Sequence, residues 1–157
     1  MKTIKIIVGC VLFIAVSACT EQITPTPYVY SQVFSGVNSK TWKLKFIEYT
    51  LNGNVEDTFT LACASDDLYT FHAGSERAFQ ATTGSQKCAS DESDVINDTW
   101  SFNNATATLT MVLPFFTESA LPFIVREAKK NKMEVEIFLD QTNTTSYRMH
   151  FEASTEN

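Results

Sequence analysis

From Lys40 onward the chain alternates apolar and polar residues in short runs, the period of a strand with one buried face. "TWKLKF" sets Trp42, Leu44 and Phe46 on one side and Lys43 and Lys45 on the other. "NGN" at 52–54 predicts a hairpin turn, because Asn-Gly tolerates the positive φ that tight turns demand. Beyond it, Val55, Asp57, Phe59 and Leu61 share a face. "LYTFH" (68–72), "RAFQAT" (77–82), "DTWSF" (98–102), "ATLTMVLP" (107–114), "FIVREA" (123–128), "MEVEIFLD" (133–140) and "SYRMHFEA" (146–153) continue the series. In the last run Tyr147, Met149 and Phe151 point inward, and Arg148, His150 and Glu152 outward. Residues 118–132 have some helical character, but Pro122 interrupts them and Phe123-Ile124-Val125 favours a strand. Eight or nine short strands with a turn signal every 8 to 12 residues or so predict an all-β antiparallel barrel or sandwich.

The first residues read differently. Lys2 and Lys5 precede an apolar run, Ile6 to Val16, which is too short to span a bilayer as an ordinary helix and has the layout of a secretory signal. Val16-Ser17-Ala18-Cys19 closes it and resembles the lipobox of bacterial lipoproteins. That resemblance implies a signal peptide over residues 1–18 and an acylated, palmitate-type N-terminus at Cys19. The expected partner is thus a membrane, reached through lipid. Thr20 lies where an aspartate would signal inner-membrane retention in some bacteria, and no surface-export run of lysine and acidic residues follows. The resemblance therefore points to the outer membrane, facing the periplasm, with surface exposure left open. Residues 19–39, polar and carrying Pro25 and Pro27, read as a tether, and residues 40–157 as one domain.

The export reading simplifies the cysteines. Cys10 leaves with the signal and Cys19 carries lipid, so Cys63 and Cys88 remain as an even pair and are expected to form one disulfide. Two thiols are too few for a zinc site, and neither histidine, His72 or His150, stands at a ligand spacing from them. Without Lys2 and Lys5 the 12 basic residues become 10 against 18 acidic, a net charge of −8. Such a domain has no electrostatic reason to bind nucleic acid, and its net charge opposes adsorption to anionic lipid. Lys129-Lys130-Asn131-Lys132 reads as a solvated turn.

Three stretches together carry a second resemblance. "KTWKL", then "CASDDLYTF", then Cys88 with "DTWSF" resemble the lipocalin-like domain of small bacterial lipoproteins, over about Lys40 to Glu152. It implies an up-and-down barrel of about eight strands with one disulfide, and no catalytic residue. The apolar "LPFFTESALPF" (113–123) departs from that pattern, and Pro114 to Phe123 within it reads as a lid.

Candidate chemistry is sparse. Asp66 and Asp67 are adjacent and would face opposite sides of a strand, which suits backbone hydrogen bonding better than paired acid-base work. The acidic run 91–98 lacks the glycine and the spacing of a calcium loop, and no Gly-x-Ser-x-Gly elbow occurs. No enzyme activity, metal or cofactor is expected. The aromatics are more suggestive. Trp42, Tyr69, Phe71, Trp100, Phe115 and Phe116 either fill a barrel or line a cavity for a small apolar or amphipathic ligand. Two functions follow: a ligand-binding lipoprotein, or a structural or interaction lipoprotein with a filled barrel. The anchor itself is testable. A Cys19→Ala chain is expected to leave the membrane fraction after a high-salt wash, and its retention there would refute the lipoprotein reading.

Overall fold

A computed structural model describes residues 31–154. The expected signal 1–18, Cys19 and the first part of the expected tether lie outside these residues. The folded unit reaches further back than Lys40. Ser31–Ser35 forms a short helix, α1, with Val33, Phe34 and Ser35 buried, so the last part of the expected tether belongs to the domain.

The rest is strand. β1 is Ser39–Leu51, β2 Asn54–Phe59, β3 Leu68–His72, β4 Ala78–Thr82 and β5 Val95–Thr99. β6 is Ser101–Asn103, β7 Thr108–Leu113, β8 Thr117–Ala128, β9 Lys132–Phe138 and β10 Thr145–Ala153. They form one antiparallel sheet in the order β5-β4-β3-β1-β10-β9-β8-β7-β6, with β2 paired to β1 alone. β5 and β6 stand at opposite ends of that order, yet Trp100 alone separates them in sequence. The expected "DTWSF" strand is thus one strand broken at its centre. Its first half pairs β4 and its second half pairs β7, which nearly closes the sheet into a barrel of nine strands. Residues 118–132 are β8 and its turn into β9 rather than a helix. Pro122 is tolerated in β8 because β9 pairs only from Ile124 onward, leaving no ladder bond for the missing N–H on that side.

Alternation places the core as expected over most of the chain. Trp42, Leu44, Tyr69, Phe71, Leu109, Met111, Met149 and Phe151 are buried inside. Phe46 is the exception. The β1–β10 register shifts between Leu44 and Phe46, and that bulge turns Phe46 to the other face, where it stacks on His150 at 4.1 Å. Ile47 takes the inward place. β2 also departs from expectation: Val55 and Asp57 are exposed, because no strand or layer covers this edge strand. Asn52 and Gly53 both adopt positive φ, 51° and 81°, and make the expected two-residue hairpin turn.

The expected disulfide is present. Cys63 follows Leu61 in a short 3₁₀ turn and bonds Cys88 in the long β4–β5 connection, with Cα atoms 4.9 Å apart. Closing 25 residues of chain contributes roughly 3 kcal/mol in the chain-entropy account. Replacing both cysteines by alanine is expected to lower unfolding free energy by about that amount in a denaturant titration. An unchanged midpoint would refute the role.

Candidate functional site

The six candidate aromatics separate into two groups. Trp42, Tyr69, Phe71 and Trp100 lie inside the barrel and are at most 3% exposed. Trp42 comes from β1, Tyr69 and Phe71 from β3, and Trp100 from the β5–β6 break. Phe34 of α1 closes this end of the barrel, 6.2 Å from Trp100 and 4.9 Å from Phe102 between ring centres. Phe71 meets Trp100 and Phe79 edge-on at 5.5 and 5.0 Å, and Tyr69 meets Phe151 at 5.6 Å. The indole N–H groups are satisfied as well: Trp42 donates to the Phe34 carbonyl and Trp100 to that of His72. These four residues belong to the buried core.

Phe115 and Phe116 sit at the opposite mouth, in the tight turn between β7 and β8. The segment expected as a lid is therefore mostly a hairpin. Leu113 and Phe123 are buried strand residues, and the Phe116 N–H donates to the Leu113 carbonyl. With Ile47, Phe59, Leu61 and Tyr147, the two phenylalanines line a cleft of about 150 Å³. Phe116 and Phe59 both lie against Tyr147, at 5.9 and 6.1 Å. That volume holds a ring or a few methylenes, well short of the ~300–1,000 Å³ typical of ligand pockets. Exposed Leu51, Val55 and Leu139 stand at the same end of the barrel, Leu51 and Leu139 both beside Thr145.

The adjacent aspartates share one task from two sides. Asp67 is buried, accepts from the Tyr69 hydroxyl at 3.0 Å and from the Gly84 N–H at 2.9 Å. Exposed Asp66 accepts from the backbone N–H and hydroxyl of Ser85, at 2.8 and 2.9 Å. Together they pin the start of β3 to the chain leaving β4. Gly84 is required by space: a Cβ there would lie 1.9 Å from the Asp66 carboxyl. The expected backbone role holds, but across 17 to 19 residues rather than within a local turn. Ser85 hydrogen bonds lower the Asp66 pKa, whereas burial raises that of Asp67 and pushes the Tyr69 phenol up. In the acidic run, Glu92 is buried and accepts from the Cys88 and Ala89 N–H groups, holding the disulfide loop. Among the described residues no group of three or more His, Cys, Asp or Glu is placed to hold a metal ion.

A cluster that sequence reading missed lies on the face opposite the core. Glu136 is buried, accepts from Ser146 at 2.6 Å, pairs with Arg126, and lies 3.5 Å from Arg148. Burial would raise the Glu136 pKa, but Ser146 and the two guanidinium groups bring it below its ordinary value. Arg148 also lies 3.6 Å from Glu48. His150 faces Glu48 and Glu134 at 3.2 and 3.3 Å. The members come from four adjacent strands, β1, β10, β9 and β8, so the cluster fixes their register. Period-2 alternation in β8, β9 and β10 could have found it, because opposite charges fall on matched outward positions.

The buried Tyr69–Asp67 pair makes a checkable pH statement. Ionising Asp67 in the fold is disfavoured, so it favours the folded state at low pH, and that contribution fades as pH rises from the unfolded pKa through the raised folded one. Tyr69→Phe removes a donor to that carboxyl. It is expected to cost about 1–3 kcal/mol at neutral pH and less near pH 4, where Asp67 carries more proton. Urea titrations at both pH values check this, and a loss independent of pH would refute it. No protein-family model matches the chain, and no curated protein is significantly similar to it. The functional reading therefore rests on this geometry.

Proposed function

We propose that this is a lipid-anchored, lipocalin-like lipoprotein of the cell envelope that acts by contact rather than catalysis. In this reading its barrel is filled, and its working surface is the aromatic mouth around Phe115 and Phe116. The filled interior carries the proposal: Phe34, Trp42, Phe71 and Trp100 occupy the space in which a barrel-bound ligand would sit. The surroundings of the mouth favour a partner of definite chemistry. Exposed Leu51, Val55 and Leu139 supply apolar contact, and the neighbouring loops are acidic, with Asp91, Asp94, Glu118 and Asp140 against Lys87. An envelope protein presenting an apolar side chain within a basic surface suits both.

A second reading has its own observation. The 150 Å³ cleft is lined by apolar side chains, so it accepts the end of a small amphipathic molecule. Titrating the unacylated domain with a fluorescent fatty-acid probe separates the two. The filled-barrel reading expects no saturable binding and no co-purifying ligand in native mass spectrometry. Saturable binding lost in Phe115→Ser/Phe116→Ser, with the fold intact, would overturn it in favour of the ligand reading.

A further inference from the structure

The net charge of the chain hides a segregation. The barrel end bearing α1 is built from the β3–β4 turn, the β8–β9 turn, the start of β1 and the end of β10. It carries Lys40, Arg77, Lys129, Lys130 and Lys132 against Glu76, Glu127 and Glu152. The loops of the other end carry Asp91, Glu92, Asp94, Glu118 and Asp140 against Lys87. Near α1 the acidic groups are largely taken up. Glu127 pairs with Lys129 and Lys132, and Glu152 on β10 pairs with Lys45. Lys130 is exposed and forms no ion pair among the described residues.

The same end holds a groove of about 540 Å³. Val33, Val37 and Ala153 give it an apolar lining, and Val37 is 84% exposed. Lys40 and Lys130 stand beside that lining. The Lys40 ammonium is held in place by the carbonyls of Val33, at 2.9 Å, and Lys130, and lies 4.0 Å above the Trp42 ring. Burial, and then the Lys130 charge, lower its pKa to about 8.

We propose that this α1 end is the membrane-facing surface, and that its groove takes the headgroup of an anionic phospholipid from the leaflet. The inference rests on the anchored reading above. Two observations choose this occupant. The described chain starts at Ser31 on this end, only twelve positions after Cys19. That stretch reaches at most about 40 Å fully extended. β1, with 13 residues, is itself about 40 Å long, so the far acidic end meets the membrane only on a taut tether. The second observation is charge: phosphate meets Lys40 and Lys130, while acyl-glycerol carbons meet Val33, Val37 and Ala153. The acidic mouth then faces away from the leaflet, and the charge that opposes adsorption of the whole domain instead orients it.

The test uses the chain from residue 19 onward carrying Cys19→Ser, so that its outcome does not depend on acylation. Co-sedimentation is measured with phosphatidylcholine vesicles and with vesicles that also contain phosphatidylglycerol. Binding is expected only to the latter, and is expected to weaken as salt rises. Lys129→Gln/Lys130→Gln is expected to weaken it about tenfold or more, each basic group near the surface being worth about 1 kcal/mol. Ala120→Glu/Gln141→Glu changes net charge equally at the far end and is expected to leave binding within about twofold. An environment-sensitive dye on Val37→Cys should shift on these vesicles, whereas one on Leu139→Cys should not. Equal loss in both charge variants, binding indifferent to phosphatidylglycerol, no binding, or a shift confined to the Leu139 position would each overturn the proposal. Failure of the lipoprotein reading shows separately, as membrane retention of Cys19→Ala.

Discussion

The structure depends on one strand having to serve two neighbours. A sheet of this length twists, and here its two edges are brought together by a single strand that leaves one and joins the other. Trp100 is where that exchange occurs. Its backbone N–H reaches the Arg77 carbonyl, one step beyond the last β4–β5 pair in the same register, and its indole N–H reaches the His72 carbonyl. The ring is then committed to the interior, against Phe71 and Phe34, and α1 is drawn across the barrel end as part of the same packing. Closure of the sheet and the packing of α1 across the barrel end thus meet at this one residue.

The remaining weak side is the run from β2 to β5, where strands are short and β2 has one partner. Covalent and polar links concentrate there. The disulfide joins the β2–β3 connection to the β4–β5 connection, Glu92 holds the Cys88 and Ala89 amides, and Asp66 and Asp67 tie the head of β3 to residues 84 and 85. On the long-stranded side the outward cluster around Glu136 does comparable work without a covalent bond. Removing one member there would leave a buried charge uncompensated, which makes it a register device more than a source of net stability.

Alternation made the strands and most of the core legible, because period 2 is a local property of the chain. It failed where a local rule met a tertiary fact. Phe46 fits the run Trp42-Leu44-Phe46 in sequence, but one bulged residue reverses its face. Val55 and Asp57 alternate correctly in β2, yet nothing packs on that strand. Five residues of α1 are too few for any helical period to register, and Phe34 becomes meaningful only once the barrel end it covers exists. Asp67, Tyr69 and Gly84 are related by a hairpin, so the composition of "CASDDLYTF" announces carboxylates without saying what they hold. The aromatic count could not choose between lining and filling, since the choice is one of volume.

Volume also explains why the filled barrel is the stronger reading. Holding a ligand of ordinary size would require the domain to keep at least about 300 Å³ empty between visits. At about 24 cal/mol per Å³ such a void costs roughly 7 kcal/mol, comparable to the whole stability of a typical domain. The disulfide offsets less than half of that. A barrel with this many short strands can therefore be stable with Trp42, Phe71 and Trp100 inside, or hollow with a larger frame around it, but not both. The two ends of the barrel differ in charge and shape, basic and grooved beside α1, acidic and aromatic at the far mouth.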